Sequence, residues 1–80
     1  MTGKKDPTTK QIAVRVGSSV RSAREDANLS QDELAWRAGI HRAYMGVIER
    51  GEQNITIYKL YQVAEAMNLQ PSEILEAADL

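Results

Sequence analysis

Residues 30–51, with the sequence SQDELAWRAGIHRAYMGVIERG, decide the fold. They contain two short segments whose apolar residues recur at helical spacing, separated by Gly39. A Ser-x-x-Glu capping box opens the first segment and predicts a helix over about 31–38. Gly39 ends this helix because glycine adopts positive φ at no steric cost, and Gly51 ends the next one, predicted over about 41–50.

Two short helices joined by a turn that contains glycine have the geometry of a helix-turn-helix, in which the second helix projects steeply from the body. The small side chain of Ala35 allows the two helices to approach closely. The wedge between them is predicted to be filled by Leu34, Ile40, Met45 and Ile48. The pattern therefore predicts that helices 2 and 3 form a helix-turn-helix.

The flanking sequence predicts three more helices and no strand. Helix 1 follows a capping box at Thr8 and Gln11, and Asn28 is its left-handed stop. Its predicted inner face consists of Ile12, Val16, Val20, Ala23 and Ala27. Thr56 is predicted to cap helix 4, which has an apolar stripe of Leu60, Val63, Ala64 and Met67 and ends near Asn68. Pro71 opens a short helix 5 with Ile74, Leu75 and Ala78 on its inner face.

Length and composition limit the chain to one small domain. It has 80 residues, of which 42% are hydrophobic and 26% charged, with no cysteine, so neither a disulfide framework nor a thiolate metal site is available. We expect a flexible arm over 1–9 and a domain over 10–80 whose last helix dimerises. The start lacks the apolar region of a signal peptide and no stretch is apolar enough to span a membrane, so we expect a cytoplasmic protein.

The sequence contains no arrangement typical of catalysis. There is one histidine, no phosphate-binding loop and no spaced nucleophile, base and acid, so we do not expect an enzyme. His41 has no neighbouring ligand set, and no metal site, cofactor or small-molecule ligand is predicted.

Charge is unevenly distributed along the chain. Residues 1–59 hold all ten basic residues and seven of the eleven acidic ones, whereas residues 60–80 hold four acids and no base. The overall net charge of −1 therefore conceals a basic part and an acidic end. This asymmetry is a modest indication of an anionic partner for the first part of the chain.

The run LSQDELAWRAGIHRAYMGVIERGEQN, preceded by VGSSVRSAR, resembles the Cro/CI (XRE-type) helix-turn-helix family of lambda-repressor-like transcriptional regulators. The motif covers about residues 16–56, and the five-helix domain of the family would cover residues 10–78. Within the family, HRAYMGVIERGEQNITIYKL is most similar to small stand-alone regulators, including the controller proteins of restriction-modification systems.

The resemblance implies that helix 3 enters the major groove of double-stranded DNA and that a dimer binds two half-sites about one helical turn apart. It places base contacts at His41, Arg42, Ala43, Gly46 and Val47. Arg42 is the strongest candidate, because its planar fork can pair with O6 and N7 of guanine. Ala43 and Val47 can offer only apolar contact, for example to a thymine methyl group.

Phosphate contacts implied by the resemblance are Gln31, Tyr44, Arg50, Gln53 and Asn54. Many family members carry a basic residue where this chain has Gln53, so binding is expected to be weaker or to depend more on dimerisation. Lys4 and Lys5 of the arm either wrap the duplex or remain solvated, and the sequence does not decide between the two.

The acidic end has more apolar residues than one short helix needs, which predicts a homodimer interface. The predicted interface residues are Leu69, Ile74, Leu75, Ala78 and Leu80. The predicted function is a homodimeric regulator on a pseudo-palindromic operator that controls its own or a neighbouring gene. The alternative is a protein-interaction module, such as an antitoxin or adaptor, that uses the same fold.

Two residues of the motif are interpreted as structural. Glu49 is expected to pair with an arginine such as Arg24 or Arg37, because a carboxylate facing phosphates would repel them. Trp36 is expected to pack against the scaffold rather than stack on a base.

Overall fold

The computed structural model describes residues 7–80 and arranges them as five helices. The helices are α1 (Thr9–Asp26), α2 (Gln31–Ala38), α3 (Arg42–Arg50), α4 (Ile57–Ala66) and α5 (Pro71–Ala77), and no strand occurs within 7–80. The predicted all-α, five-helix class is therefore confirmed. Of the predicted arm, residues 1–6 with Lys4 and Lys5 lie outside the described residues, and Thr9 already belongs to α1.

Side-chain caps define the helix starts as the sequence predicts. The hydroxyl of Ser30 accepts from the amide of Glu33 at 3.0 Å, and the Glu33 carboxylate accepts from the amide of Ser30 at 2.9 Å. The same reciprocal pair joins Thr8 and Gln11 at the start of α1. The hydrogen bond from the Ser30 backbone holds the pKa of Glu33 below its usual range.

The core lies where α2 and α3 meet α1 and α4. All four residues predicted to fill the wedge of the helix-turn-helix, Leu34, Ile40, Met45 and Ile48, are buried. Val20 of α1 and Val63 of α4 belong to this core and are fully buried, and Ile74 of α5 packs against it. Gly39, between α2 and α3, has φ 69°, the left-handed conformation that the sequence predicts for it.

Gly17 allows α1 to approach α3 backbone to backbone. A Cβ atom at this position would collide with the carbonyl oxygen of Ile48 and lie 2.8 Å from that of Glu49. In the sequence Gly17 only weakens helix propensity, whereas in the fold it sets how closely α3 lies against the body.

The predicted inner face of α1 is wrong at both of its ends. Ile12 is exposed and Ala13 is buried in its place, because the helix turns its Ala13, Val16 and Val20 side toward the core. Ala27 is exposed because it follows the last turn as the C-cap.

The interpretation of Trp36 as a packed scaffold residue is also wrong. Its side chain is 84% exposed. The buried stripe of α2 consists of Leu34, Ala35 and Ala38, which turns position 36 to the opposite, solvent-facing side of the helix.

Candidate nucleic-acid interface

The face of α3 that is turned away from the core is most exposed at the N-terminus of the helix. His41 caps α3, since its Nδ1 accepts from the amide of Ala43 at 3.3 Å. His41, Arg42 and Ala43 are exposed, and Val47 lies half-buried one turn beyond Ala43 on the same face. Met45 and Ile48 are buried on the other side, so core packing holds this exposed face in place.

Gly46 stands apart from the other predicted base-contact residues because it is buried. A Cβ atom there would lie 2.9 Å from Nη1 of Arg50, so the guanidinium of Arg50 covers this position. Gly46 can meet a base only if the Arg50 side chain swings away.

Both exposed arginines of α3 are paired with a carboxylate in the free protein. Nε of Arg42 donates to Oδ1 of Asp32 at 2.7 Å, and Nε of Arg50 donates to Oε2 of Glu52 at 2.8 Å. The hydrogen bond from Arg50 lowers the pKa of Glu52. The sequence analysis identified neither pair, since it gave Asp32 and Glu52 no role.

Glu49 is a structural residue, and the prediction that it pairs with an arginine is confirmed, with Arg24 rather than Arg37 as the partner. Its carboxylate accepts from Nε of Arg24 at 2.6 Å and from Nη2 at 3.0 Å. Arg24 also donates to the carbonyl oxygen of Leu29 at 2.9 Å. The hydrogen bond to Glu49 raises the pKa of Arg24.

Gln31, the predicted phosphate contact at the start of α2, belongs to the same network. Its Nε2 donates to Oε1 of Glu49 at 2.8 Å, and the residue is half-buried. A primary amide carries two N–H donors, so one of them is committed to Glu49 and one is left for a phosphate. Glu49 therefore orients the amide of Gln31.

The other predicted phosphate contacts lie at the end of α3 and in the loop that follows it. Tyr44 is half-buried against the core, while Gln53 and Asn54 are exposed. Gln53, Asn54 and Arg50 line an open depression that is also lined by Glu52 and by Lys10 of α1. Lys10 was not predicted as a contact, because only the folded chain brings the start of α1 beside this loop.

The residues predicted for a dimer interface fall into two groups. Ile74 is 1% exposed and Ala78 is also buried, so both belong to the monomer core and cannot present their side chains to a partner. Leu80 is 46% exposed, and Leu69 and Leu75 are half-buried.

Three apolar or aromatic side chains on α4 are exposed although the sequence analysis did not select them. Ile57 is 87% exposed, and Tyr58 and Tyr61 also face solvent. Spacings of three and four residues place the three on one side of α4. The prediction missed them because it counted only the buried stripe of that helix.

Two short helices joined through Gly39, with exposed donors at the start of the second, form a helix-turn-helix. Residues 20–74 match the family model HTH_3, described as helix-turn-helix. The chain therefore belongs to the HTH_3 (XRE-type) family of transcriptional regulators, as the resemblance of its sequence predicts.

Several proteins similar to this chain are named control or controller proteins. The chain is 33% identical over 69 residues to control protein C.BamHI of Bacillus amyloliquefaciens, covering 85% of each chain. It is 42% identical over 60 residues to control protein C.SmaI of Serratia marcescens, covering 75% of this chain and 71% of that one. The solved restriction-modification controller protein C.AhdI of Aeromonas hydrophila is 34% identical, with a TM-score of 0.76 over 78% of this chain and 94% of that one.

None of the helices within residues 7–80 is both long and apolar enough to cross a membrane.

Proposed function

We propose that this chain is a homodimeric, sequence-specific regulator that binds a pseudo-palindromic DNA duplex with α3 in the major groove. The observation that carries the proposal is the exposed start of α3, where Arg42 and Ala43 project from a helix whose other face is fully packed. A side chain can discriminate bases only when its backbone is held in register, and the buried Met45 and Ile48 hold it there.

In this account each exposed residue of α3 contributes a different contact. Arg42 pairs with O6 and N7 of a guanine, and Ala43 and Val47 contact thymine methyl groups. His41 uses Nδ1 for the cap, which leaves Nε2 for a base edge or a phosphate. Gly46 has no side chain, so α3 and the DNA can approach closely at this position once Arg50 has moved to a phosphate.

Phosphate contacts fix the position of α3 in the groove. We assign them to Gln31 on one flank and to Tyr44, Arg50, Gln53 and Asn54 on the other. Lys10 faces the same depression as Gln53 and adds a basic group that compensates for the neutral side chain at position 53.

The proposed dimer is supported by the apolar surface of the last two helices. Leu69, Leu75 and Leu80 remain accessible at least in part, and Ile57, Tyr58 and Tyr61 add exposed apolar area on α4. A second copy that covers these residues would bury surface that water otherwise solvates. The acidic residues of this end keep it away from the DNA.

The similarity to C.BamHI, C.SmaI and C.AhdI supports a controller role in a restriction-modification system. The chain would then bind beside its own or a neighbouring gene and act in the cytoplasm, where the DNA is. Repression follows where the operator overlaps the promoter.

Selection of bound duplexes from a random DNA pool at roughly physiological salt tests this function. We expect enrichment of a two-fold symmetric site with half-sites about 10 bp apart. The charge-reversed variant Arg42→Glu, with its fold checked by circular dichroism, is the control and should enrich no such site. A folded wild-type protein that enriches nothing would contradict the proposal and favour the alternative, a protein-interaction module.

A further inference from the structure

The pair formed by Asp32 and Arg42 bridges the two helices of the motif. Asp32 lies in the first turn of α2, and Arg42 is the first residue of α3. The link is made by Nε of the arginine, which donates to Oδ1 of Asp32 at 2.7 Å. Both side chains are largely exposed, at 76% for Asp32 and 58% for Arg42, so a duplex can reach the pair from solvent.

We propose that Asp32 is a positioning residue for base recognition, because it orients the guanidinium of Arg42 toward one guanine. This inference rests on the proposed function. A guanidinium has five donors in one plane, and Asp32 occupies the one on Nε. The Nη1 and Nη2 edge remains for the paired contact to O6 and N7 of guanine.

A positioned arginine differs from a mobile one in what it can discriminate. A free arginine side chain has several rotatable bonds, and ordering them on binding opposes the contact. Asp32 orders Arg42 before DNA arrives, and it does so from a backbone position fixed by the Ser30 capping box of α2. Orientation of this kind sharpens the preference at one base pair and leaves the others unchanged.

The competing role for Asp32 is that of a carboxylate that repels phosphates and holds Arg42 back from DNA. That role predicts a different result, because charge repulsion acts on every duplex regardless of sequence. An exposed pair adds little to folding stability, so substitutions at position 32 are expected to leave the fold intact.

Two substitutions separate orientation from charge. Asp32→Ala removes both the acceptor oxygen and the charge, whereas Asp32→Asn removes the charge and keeps an acceptor oxygen for Nε of Arg42. Asp26→Asn is the matched control, because it removes another exposed carboxylate at the far end of α1. Each variant is checked by circular dichroism and by its urea midpoint before binding is measured.

The measurement is a titration of the wild-type selected duplex and of its single-base-pair variants. With Asp32→Ala we expect discrimination to fall by about threefold to tenfold at the base pair read by Arg42 and nowhere else. Asp32→Asn should retain most of that discrimination, and Asp26→Asn should retain all of it. In an Arg42→Ala background, Asp32→Ala should have no further effect on discrimination, because the group it orients is gone.

Two results would overturn the inference while the proposed function stands. One is an equal gain of affinity on all duplexes for both Asp32 variants. The other is a loss of discrimination by Asp32→Ala that persists without Arg42. If the wild-type protein selects no site, the proposed function fails first and the inference fails with it.

Discussion

Arg24 and Glu49 join α1 to α3 through a two-point ion pair, with Nε–Oε2 at 2.6 Å and Nη2–Oε1 at 3.0 Å. The Glu49 side chain is 2% exposed and that of Arg24 is 12% exposed. The same carboxylate accepts from Gln31 of α2. One buried acid therefore connects the three helices on which the proposed DNA-binding face depends.

Glu49→Gln should destabilise the fold strongly, because it leaves the charge of Arg24 buried without its partner. We expect a loss of about 3–5 kcal/mol in the free energy of unfolding. Urea unfolding followed by circular dichroism measures it. The double variant Arg24→Met with Glu49→Leu removes both charges and should lose less than the single variant. A single-variant loss below about 1 kcal/mol would contradict this role for the pair.

Gly17→Ala should also destabilise the protein, although alanine is the better helix former. The added Cβ would meet the backbone carbonyl oxygens of Ile48 and Glu49, which cannot move as a flexible side chain can. We expect a loss of about 1–3 kcal/mol. Ser18→Ala, at an exposed neighbouring position of α1, is the control and should leave the urea midpoint close to that of the wild type. A stabilised Gly17→Ala variant would mean that α1 and α3 are not in close contact.

Stability at low pH should depend on Glu33. The backbone of Ser30 donates to its carboxylate and lowers its pKa, so the contribution of Glu33 is present above the ordinary glutamate value of about 4.3. It is lost as the pH falls through the lowered pKa. Glu33→Gln keeps a capping side chain but does not titrate. Between about pH 5 and pH 2 the urea midpoint of the wild type should fall more than that of the variant. Parallel curves would show that this cap does not respond to pH.

Gln31→Ala should weaken DNA binding on all sequences to a similar degree, because a phosphate contact carries no base information. Glu49 orients the amide of Gln31, so the substitution removes a donor that is already fixed in position before DNA binds. Fluorescence anisotropy with the selected duplex and with a scrambled one measures both affinities. Ser22→Ala, which removes an exposed polar side chain from α1, is the control and should keep both affinities. A selective loss of affinity for the preferred site would indicate that Gln31 contacts a base rather than a phosphate.

Most of the fold follows from local signals in the sequence. The capping boxes at Ser30 and Thr8 mark helix starts, and Gly39 marks the turn, because these effects act within a few residues. The exposure of Ile12 could not be predicted in this way, since the edge of the buried stripe of α1 depends on which neighbouring helix approaches. The close contact at Gly17 likewise depends on the packing of two distant segments. The exposure of Trp36, in contrast, follows from its position opposite the buried stripe of α2.

In the candidate site, too, local features could be predicted from the sequence and contacts between distant residues could not. The residues at the start of α3 are exposed, as a DNA-reading role requires. What the sequence does not predict is how they are paired, because Asp32 and Arg42 are ten residues apart and meet only across the folded turn. Ile74 and Ala78 were predicted to lie in the dimer surface but are buried in the monomer core, because α5 must bury one face to stay attached to the domain.

The central claim, that α3 reads base sequence through Arg42, is tested most directly by comparing wild type and Arg42→Ala on the selected duplex and its single-base-pair variants. The account predicts a loss of about 1–3 kcal/mol for each half-site of the preferred duplex and no remaining preference at one base pair in each half-site. Arg37→Ala, an exposed arginine on α2, should keep that preference. An equal loss for Arg42→Ala on every sequence would contradict the claim and leave Arg42 as a phosphate contact.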